Sequence, residues 1–220
     1  MQKIEYIKSL DYRPDIDGLR AVSVFAVIGF HAFPNIFNAG FIGVDIFFVI
    51  SGYLISTIIF QKMELSNFSF LDFYARRIRR IFPSLILILS VCFIFGWFAL
   101  FPNEFQQLNR HIAGSAGFVS NFILWNEAGY FDNESSTKPL LHIWSLGIEE
   151  QFYIFWPLFI WIFYKTRFNF IFLILSLLII SFSLNILSSL NDKVGTFYSP
   201  LTRFWELLVG SFLAWITINK

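Results

Sequence analysis

Residues 168–190, FNFIFLILSLLIISFSLNILSSL, carry no acidic or basic side chain across 23 positions. A helix that crosses a membrane needs roughly 20 mainly apolar residues. A water-facing helix of that length would keep a polar stripe. The stretch therefore reads as a span from Phe168 to Leu190, and it fixes lipid as the solvent for the rest of the chain. The whole composition agrees: 56% hydrophobic, 14% charged, mean hydropathy +0.64, with 31 phenylalanines among 220 residues. Soluble domains carry about 25% charged residues. A net charge of +1 gives no electrostatic reason to expect a nucleic-acid partner.

Working outward from that span, the same pattern predicts about six spans in all. The others run from about Asp17 to Phe33, Gly40 to Phe60, Ile81 to Phe101, His142 to Tyr164 and Phe204 to Ile218. Pro14, Pro34, Pro83, Pro102 and Pro200 punctuate the turns between them. The segment His111–Trp125 is short and rich in Gly and Ala, and reads as a partly inserted or interfacial helix. The expected fold is an all-α polytopic transmembrane bundle, one domain over residues 1–220. The first apolar stretch carries Arg20 and His31 and has no small-residue cleavage site after it, so it reads as a retained helix rather than a signal peptide. Cys92 is the one cysteine and sits in an apolar run, which leaves no disulfide and no metal cluster.

Cation bias predicts orientation. Lys3, Lys8 and Arg13 precede the first span; Lys62, Arg76, Arg77, Arg79 and Arg80 lie between the second and third; Lys165 and Arg167 follow the fourth. These belong on the cytosolic side. The uncharged Phe33–Ala39 connection and the Pro102–Leu141 loop, with Glu104, Glu127, Asp132 and Glu134 against Arg110 and Lys138, belong on the other. The expectation is a bacterial inner-membrane protein with both ends cytosolic.

Ionisable groups inside spans are costly and usually functional. Arg20 and His31 are eleven residues apart on the first span, close to three helical turns, so they share a face about 16 Å apart. Asp45 enters the second span at about the depth expected for His31, where a carboxylate could orient an imidazole as a general base. Ser51-Gly52 reads as close helix packing by small residues. The fourth span opens Leu141-His142-Ile-Trp144-Ser-Leu-Gly147-Ile-Glu149-Glu150-Gln151-Phe-Tyr153. Glu149 and Glu150 point about 100° apart, so one can face a site while the other pairs with a neighbouring helix, and His142 would share a face with Glu149. Arg76-Arg77-Ile-Arg79-Arg80 suits either topology or a phosphorylated cytosolic ligand.

Taken together, these motifs resemble the membrane-bound acyltransferase-3 family, the O-acyltransferases of bacterial surface polysaccharides. The matching stretches are Tyr12-Arg-Pro-Asp-Ile-Asp17-Gly-Leu-Arg20 with His31, Gly43-Val-Asp45-Ile-Phe-Phe-Val-Ile-Ser51-Gly-Tyr53, Arg76 to Pro83, Trp144 to Tyr153, and Arg203-Phe-Trp-Glu206. The resemblance implies an acyl-CoA donor, usually acetyl-CoA, used from the cytosol. It implies an acceptor hydroxyl on a lipid-linked or periplasmic glycan such as a lipopolysaccharide. His31 would be the catalytic base, with Asp45, Glu149 and Glu150 in support. Arg20, Arg77 and Arg80 would engage the donor, with no metal. The family's membrane domain has about ten helices of roughly 20 residues each. These 220 residues are accordingly expected to be its N-terminal portion, without a soluble C-terminal domain. Two other classes fit some of the same residues: a non-catalytic truncated fragment or assembly partner, and a proton-coupled transporter component, although no inverted repeat is visible.

Overall fold

The structure is a computed structural model that describes residues 13–128, 138–166 and 169–219. Lys3, Lys8, Tyr12, Asp132, Glu134, Arg167 and Phe168 lie outside the described residues. Among those described, every regular element is helical. The order is α1 (Pro14–Ala32), α2 (Ile42–Glu64), α3 (Phe70–Ala99), α4 (Pro102–Ala116), α5 (Ser120–Glu127), α6 (Trp144–Thr166), α7 (Phe170–Ser189), α8 (Lys193–Tyr198) and α9 (Pro200–Ile218), with a 3-10 turn at Leu141–Ile143.

Local chemistry sets these boundaries. Pro14, Pro102 and Pro200 open α1, α4 and α9, where the missing N–H removes a donor that has no intrahelical partner. The Ser69 hydroxyl accepts from Asp72 N at the start of α3, and the Asp192 carboxylate accepts from Gly195 N at the start of α8. Helix α2 ends in a left-handed residue, Ser66 at φ 53°, with Ser66 N donating to Met63 O and Asn67 N to Lys62 O.

Among the described residues, four stretches are long and apolar enough to cross a membrane: α2, α3, α7, and Lys193–Ile218, which holds α8 and α9. The sequence reading expected about six spans. Helices α1 and α6 are 19 and 23 residues long, but the ionisable side chains they carry keep them out of a count made by composition. Helix α3 also differs from expectation. It begins at Phe70 rather than near Ile81, so Arg76, Arg77, Arg79 and Arg80 are helical residues, and Pro83 lies inside the helix instead of at its entrance. Its 30 residues span about 45 Å, longer than the roughly 30 Å hydrocarbon core, so the arginine turns can extend past the apolar region. The loop expected from Pro102 onward is helical through α4 and α5.

The chain divides into two compact units, each built from separated stretches. The first holds residues 1–67, 160–178 and 205–220. Its α1–α2 hairpin closes on glycines. Gly40 lies against Ala26 O and Phe30, Gly43 against Ser23 O and Val27, and the Phe37 ring covers Gly29. Helices α2 and α9 approach as closely: Gly52 meets the Leu207 backbone, Gly210 meets Val49 O and Tyr53 N, and Ser56 Oγ donates to Ser211 Oγ at 2.7 Å. Ser51-Gly52 thus serves helix packing, as its small residues suggested.

The second unit holds residues 68–159 and 179–204. Leu85 and Leu89 of α3 pack on Leu108 of α4 and on Leu140. Helix α4 stops at a left-handed Phe118, φ 56°, with Val119 N donating to Gly114 O and Phe118 N to Ser115 O. A non-glycine residue there costs about 1–2 kcal/mol. The conformation is held from outside, since the Phe118 ring packs edge-on to Phe82 at 5.8 Å and its carbonyl accepts from Gln151 Nε2 at 2.7 Å. That corner divides His111–Trp125 between α4 and α5, neither of which has the roughly 20 residues a span needs.

Candidate active site

The sequence-derived site residues fall into both units, and the geometry within each is definite. In the first unit, α1 carries Arg20 and His31. The Nδ1–H of His31 donates to Val27 O, one turn back, at 2.8 Å. With that proton committed, the lone pair of the neutral ring sits on Nε2. Arg20 lies 3.7 Å from Asp17 one turn before it, with both side chains partly exposed. Arg13 forks onto the exposed Asp15 carboxylate at 2.7 and 2.9 Å and holds its pKa at about 2. The remaining Arg13 nitrogen donates to Tyr53 OH at 3.3 Å, which ties the opening motif to α2.

The hairpin register corrects one expectation. Gly29–Phe37, Ala26–Gly40 and Ser23–Gly43 are successive antiparallel pairs, and Arg13–Tyr53 continues the series. On that register the Asp45 backbone stands level with Ala21, beside Arg20. It does not stand at the depth of His31, which is ten residues, or about 15 Å, further along α1. The cause is the connection. Phe37 folds back over the last turn of α1 to cover Gly29, so α2 starts lower than a count from helix ends would place it.

In the second unit, α3 and α6 bring Arg77, Glu149 and Glu150 together. Arg77 Nη2 donates to Glu150 Oε1 at 2.6 Å, and Nε approaches Oε2 at 3.5 Å. The two side chains are 14% and 10% exposed, so this is a buried pair. The Tyr153 ring lies under the guanidinium, 3.5 Å from Cζ to centroid, and its hydroxyl donates to Glu149. Both carboxylates, though 100° apart on α6, therefore join one cluster. Arg80, on the next turn of α3, is exposed, and its charge also acts on Glu150. Tyr74 OH donates to Ile154 O at 2.9 Å and braces the same two helices. His142 lies in the 3-10 turn before α6, so it does not share the helical face predicted for it with Glu149.

Two polar groupings were not anticipated. Glu127 Oε2 accepts from His111 Nε2 at 2.7 Å, Lys138 Nζ at 3.2 Å and Gln107 Nε2 at 3.3 Å. Burial raises the Glu127 pKa, but the His111, Lys138 and Gln107 donors outweigh it and leave the value below the ordinary carboxylate range. The second grouping is an amide relay, Gln151–Asn121–Tyr198, described below. Neither has a local signature, since each needs the α4–α5 corner. Tyr153 did have one: it follows Glu149 by four residues on a helix.

A polytopic all-α membrane protein with basic, acidic and imidazole groups set into its helices is a recognisable class, and sequence comparison places this chain within it. The family described as an acyltransferase domain matches residues 13–216, and the chain belongs to that acyltransferase-3 family. The chain is 41% identical over 213 residues to the putative peptidoglycan O-acetyltransferase YrhL of Bacillus subtilis, covering 92% of this chain and 33% of the relative. It is 37% identical over 219 residues to the peptidoglycan O-acetyltransferase OatA of Listeria monocytogenes, covering 94% of this chain and 34% of the relative. It is 33% identical over 222 residues to the O-acetyltransferase OatA of Staphylococcus aureus strain NCTC 8325, covering 98% of this chain and 36% of that protein. The chain thus spans about a third of the length of these relatives. No solved structure matches it.

Proposed function

We propose that this chain forms a transmembrane acyltransferase domain that moves an acetyl group from acetyl-CoA to a hydroxyl of a cell-surface glycan, with His31 as general base. The observation that carries this reading is the hydrogen bond from His31 Nδ1–H to Val27 O. It places the proton of the neutral ring on Nδ1 and the basic lone pair on Nε2, the tautomer a general base acting through Nε2 requires. The names of the relatives favour peptidoglycan over lipopolysaccharide as the acceptor.

In the proposed step, His31 Nε2 takes the proton of the acceptor hydroxyl as its oxygen attacks the thioester carbonyl. The carbon–sulfur bond breaks and CoA leaves as thiolate, collecting a proton from solvent. Arg20 and Arg80 would hold donor phosphates, and positioning would supply much of the acceleration. Arg77, engaged by Glu150, would contribute charge from within the cluster. Asp45, level with the Arg20 stretch of the hairpin, would balance that cation. The proposed setting is the bacterial inner membrane, with the chain ends and the donor on the cytosolic side, the acceptor on the periplasmic side, and lipid around the exposed apolar faces.

The test is transfer from labelled acetyl-CoA in membranes containing this chain, beside a His31→Ala control. Label in glycan, lost in the control, is the expected result. Undiminished transfer by His31→Ala would overturn the role of His31, and a stable protein that transfers nothing would overturn the activity of these 220 residues.

A further inference from the structure

Glu150 and Tyr153, both on α6, can meet Arg77 of α3 together only if α6 holds one rotation about its axis. The contacts with Arg77 and Tyr74 grip one side of that helix. The other grip comes from α5. Gln151, next to Glu150 and 100° around the helix, donates through Nε2 to Phe118 O at 2.7 Å and to Asn121 Oδ1 at 2.9 Å. Asn121 is fully buried and donates through Nδ2 to Tyr198 O at 3.0 Å. Gly147, one turn before Gln151, lets this arrangement come close: a Cβ there would sit 3.1 Å from Asn121 Oδ1 and 3.2 Å from Phe118 O. Ser120 Oγ donates to Ile143 O just before α6 begins. The acceptor carbonyl belongs to Phe118, the residue held left-handed, so a strained corner is placed where α6 docks.

We infer that Asn121 and Gln151 are positioning residues, whose amide relay from the Tyr198 carbonyl through α5 to α6 sets the rotation of α6 and so aims Glu150 and Tyr153 at Arg77. Neither touches the reacting groups. They act through Glu150 and Tyr153, and the relay's two amides also satisfy each other and two backbone carbonyls in a buried place where a lost donor would be costly. The kinetic consequence rests on the acyl-transfer reading; the geometric consequence does not.

The experiment uses the full chain, purified in detergent, with two readouts. The first is coupling in thermal stability between Arg77→Gln and Glu150→Gln, measured as the non-additivity of their Tm shifts. In the parent the shifts are non-additive, and in a Gln151→Leu background that non-additivity is expected to fall by at least half. If Gln151→Leu does not accumulate, Gln151→Asn, one methylene short, serves as the background. The second readout is acetyl transfer. Gln151→Asn and Asn121→Gln alone are each expected to lower kcat about tenfold with the donor KM little changed. The exchange variant Asn121→Gln/Gln151→Asn, which restores the combined amide length, is expected to recover kcat to within about threefold. Coupling that survives intact in the Gln151 variant, or single variants that lower Tm while leaving kcat per folded protein unchanged, would reduce the relay to ordinary packing and overturn the inference. A parent that transfers nothing would defeat the acyl-transfer reading, and the coupling measurement would still decide the positioning role.

Discussion

Arg77 and Glu150 are 73 residues apart in the chain, and their side chains meet at 2.6 Å in a buried ion pair between α3 and α6. The pair satisfies a carboxylate that would otherwise be stranded in an apolar helix. It also takes one arginine of the Arg76–Arg80 run inward, while Arg76, Arg79 and Arg80 remain exposed.

Breaking that pair from one side leaves an uncompensated charge in a buried place. Arg77→Gln and Glu150→Gln are each expected to destabilise the protein by about 3–5 kcal/mol, and the double variant by clearly less than the sum. Chemical unfolding in detergent measures all three. Additive effects would mean that the contact contributes nothing of its own.

The α2–α9 contact predicts a steric effect. A side chain at Gly52 would collide with the Leu207 backbone, which cannot move aside as a flexible side-chain tip could. Gly52→Val is expected to cost about 1–3 kcal/mol or more, whereas Ser56→Ala, which removes the bond to Ser211, is expected to cost about 1 kcal/mol. Thermal unfolding of the two variants side by side checks the order.

Glu127 gives a pH dependence of definite sign. Its folded pKa lies below its ordinary value, so its contribution to stability is present above about pH 4.3 and is lost as pH falls through the folded value. Glu127→Gln is therefore expected to lower Tm at pH 7, and the gap from the parent is expected to narrow in strong acid. A gap that stays constant down to pH 2–3 would show that the charge of Glu127 is not what the cluster uses.

Ser66 offers a stabilising change. It is exposed and left-handed at the end of α2, a conformation that glycine adopts without a Cβ penalty. Ser66→Gly is expected to raise stability by about 1 kcal/mol, read as a small increase in Tm, in contrast with the losses expected at Gly52.

Much of this was legible in the residues themselves. The uncharged run through α7 identified the solvent, and Pro14, Pro102 and Pro200 marked the turns at which α1, α4 and α9 begin. Glu149 and Glu150 were recognisable because two adjacent carboxylates in so apolar a helix need partners. Other features were not accessible. The reach of α3 back to Phe70 was hidden because arginine-rich turns look like a loop by hydropathy, although arginine is a good helix former. The depth of Asp45 was misread because helix ends were counted as if the connection between α1 and α2 ran straight out, when Phe37 folds it back onto Gly29.

The sequence by itself determined the solvent, the helical class, the family and the identity of the polar residues, because hydropathy, helical period and motif spacing are local properties written along the chain. Only the tertiary structure decided which of those residues meet. Arg77 chose Glu150, Glu127 gathered His111 and Lys138, and Asn121 linked Gln151 to the Tyr198 carbonyl. Such partnerships depend on helix register, axial rotation and a corner held at Phe118. These are set by close packing between segments far apart in the chain, which no local pattern encodes.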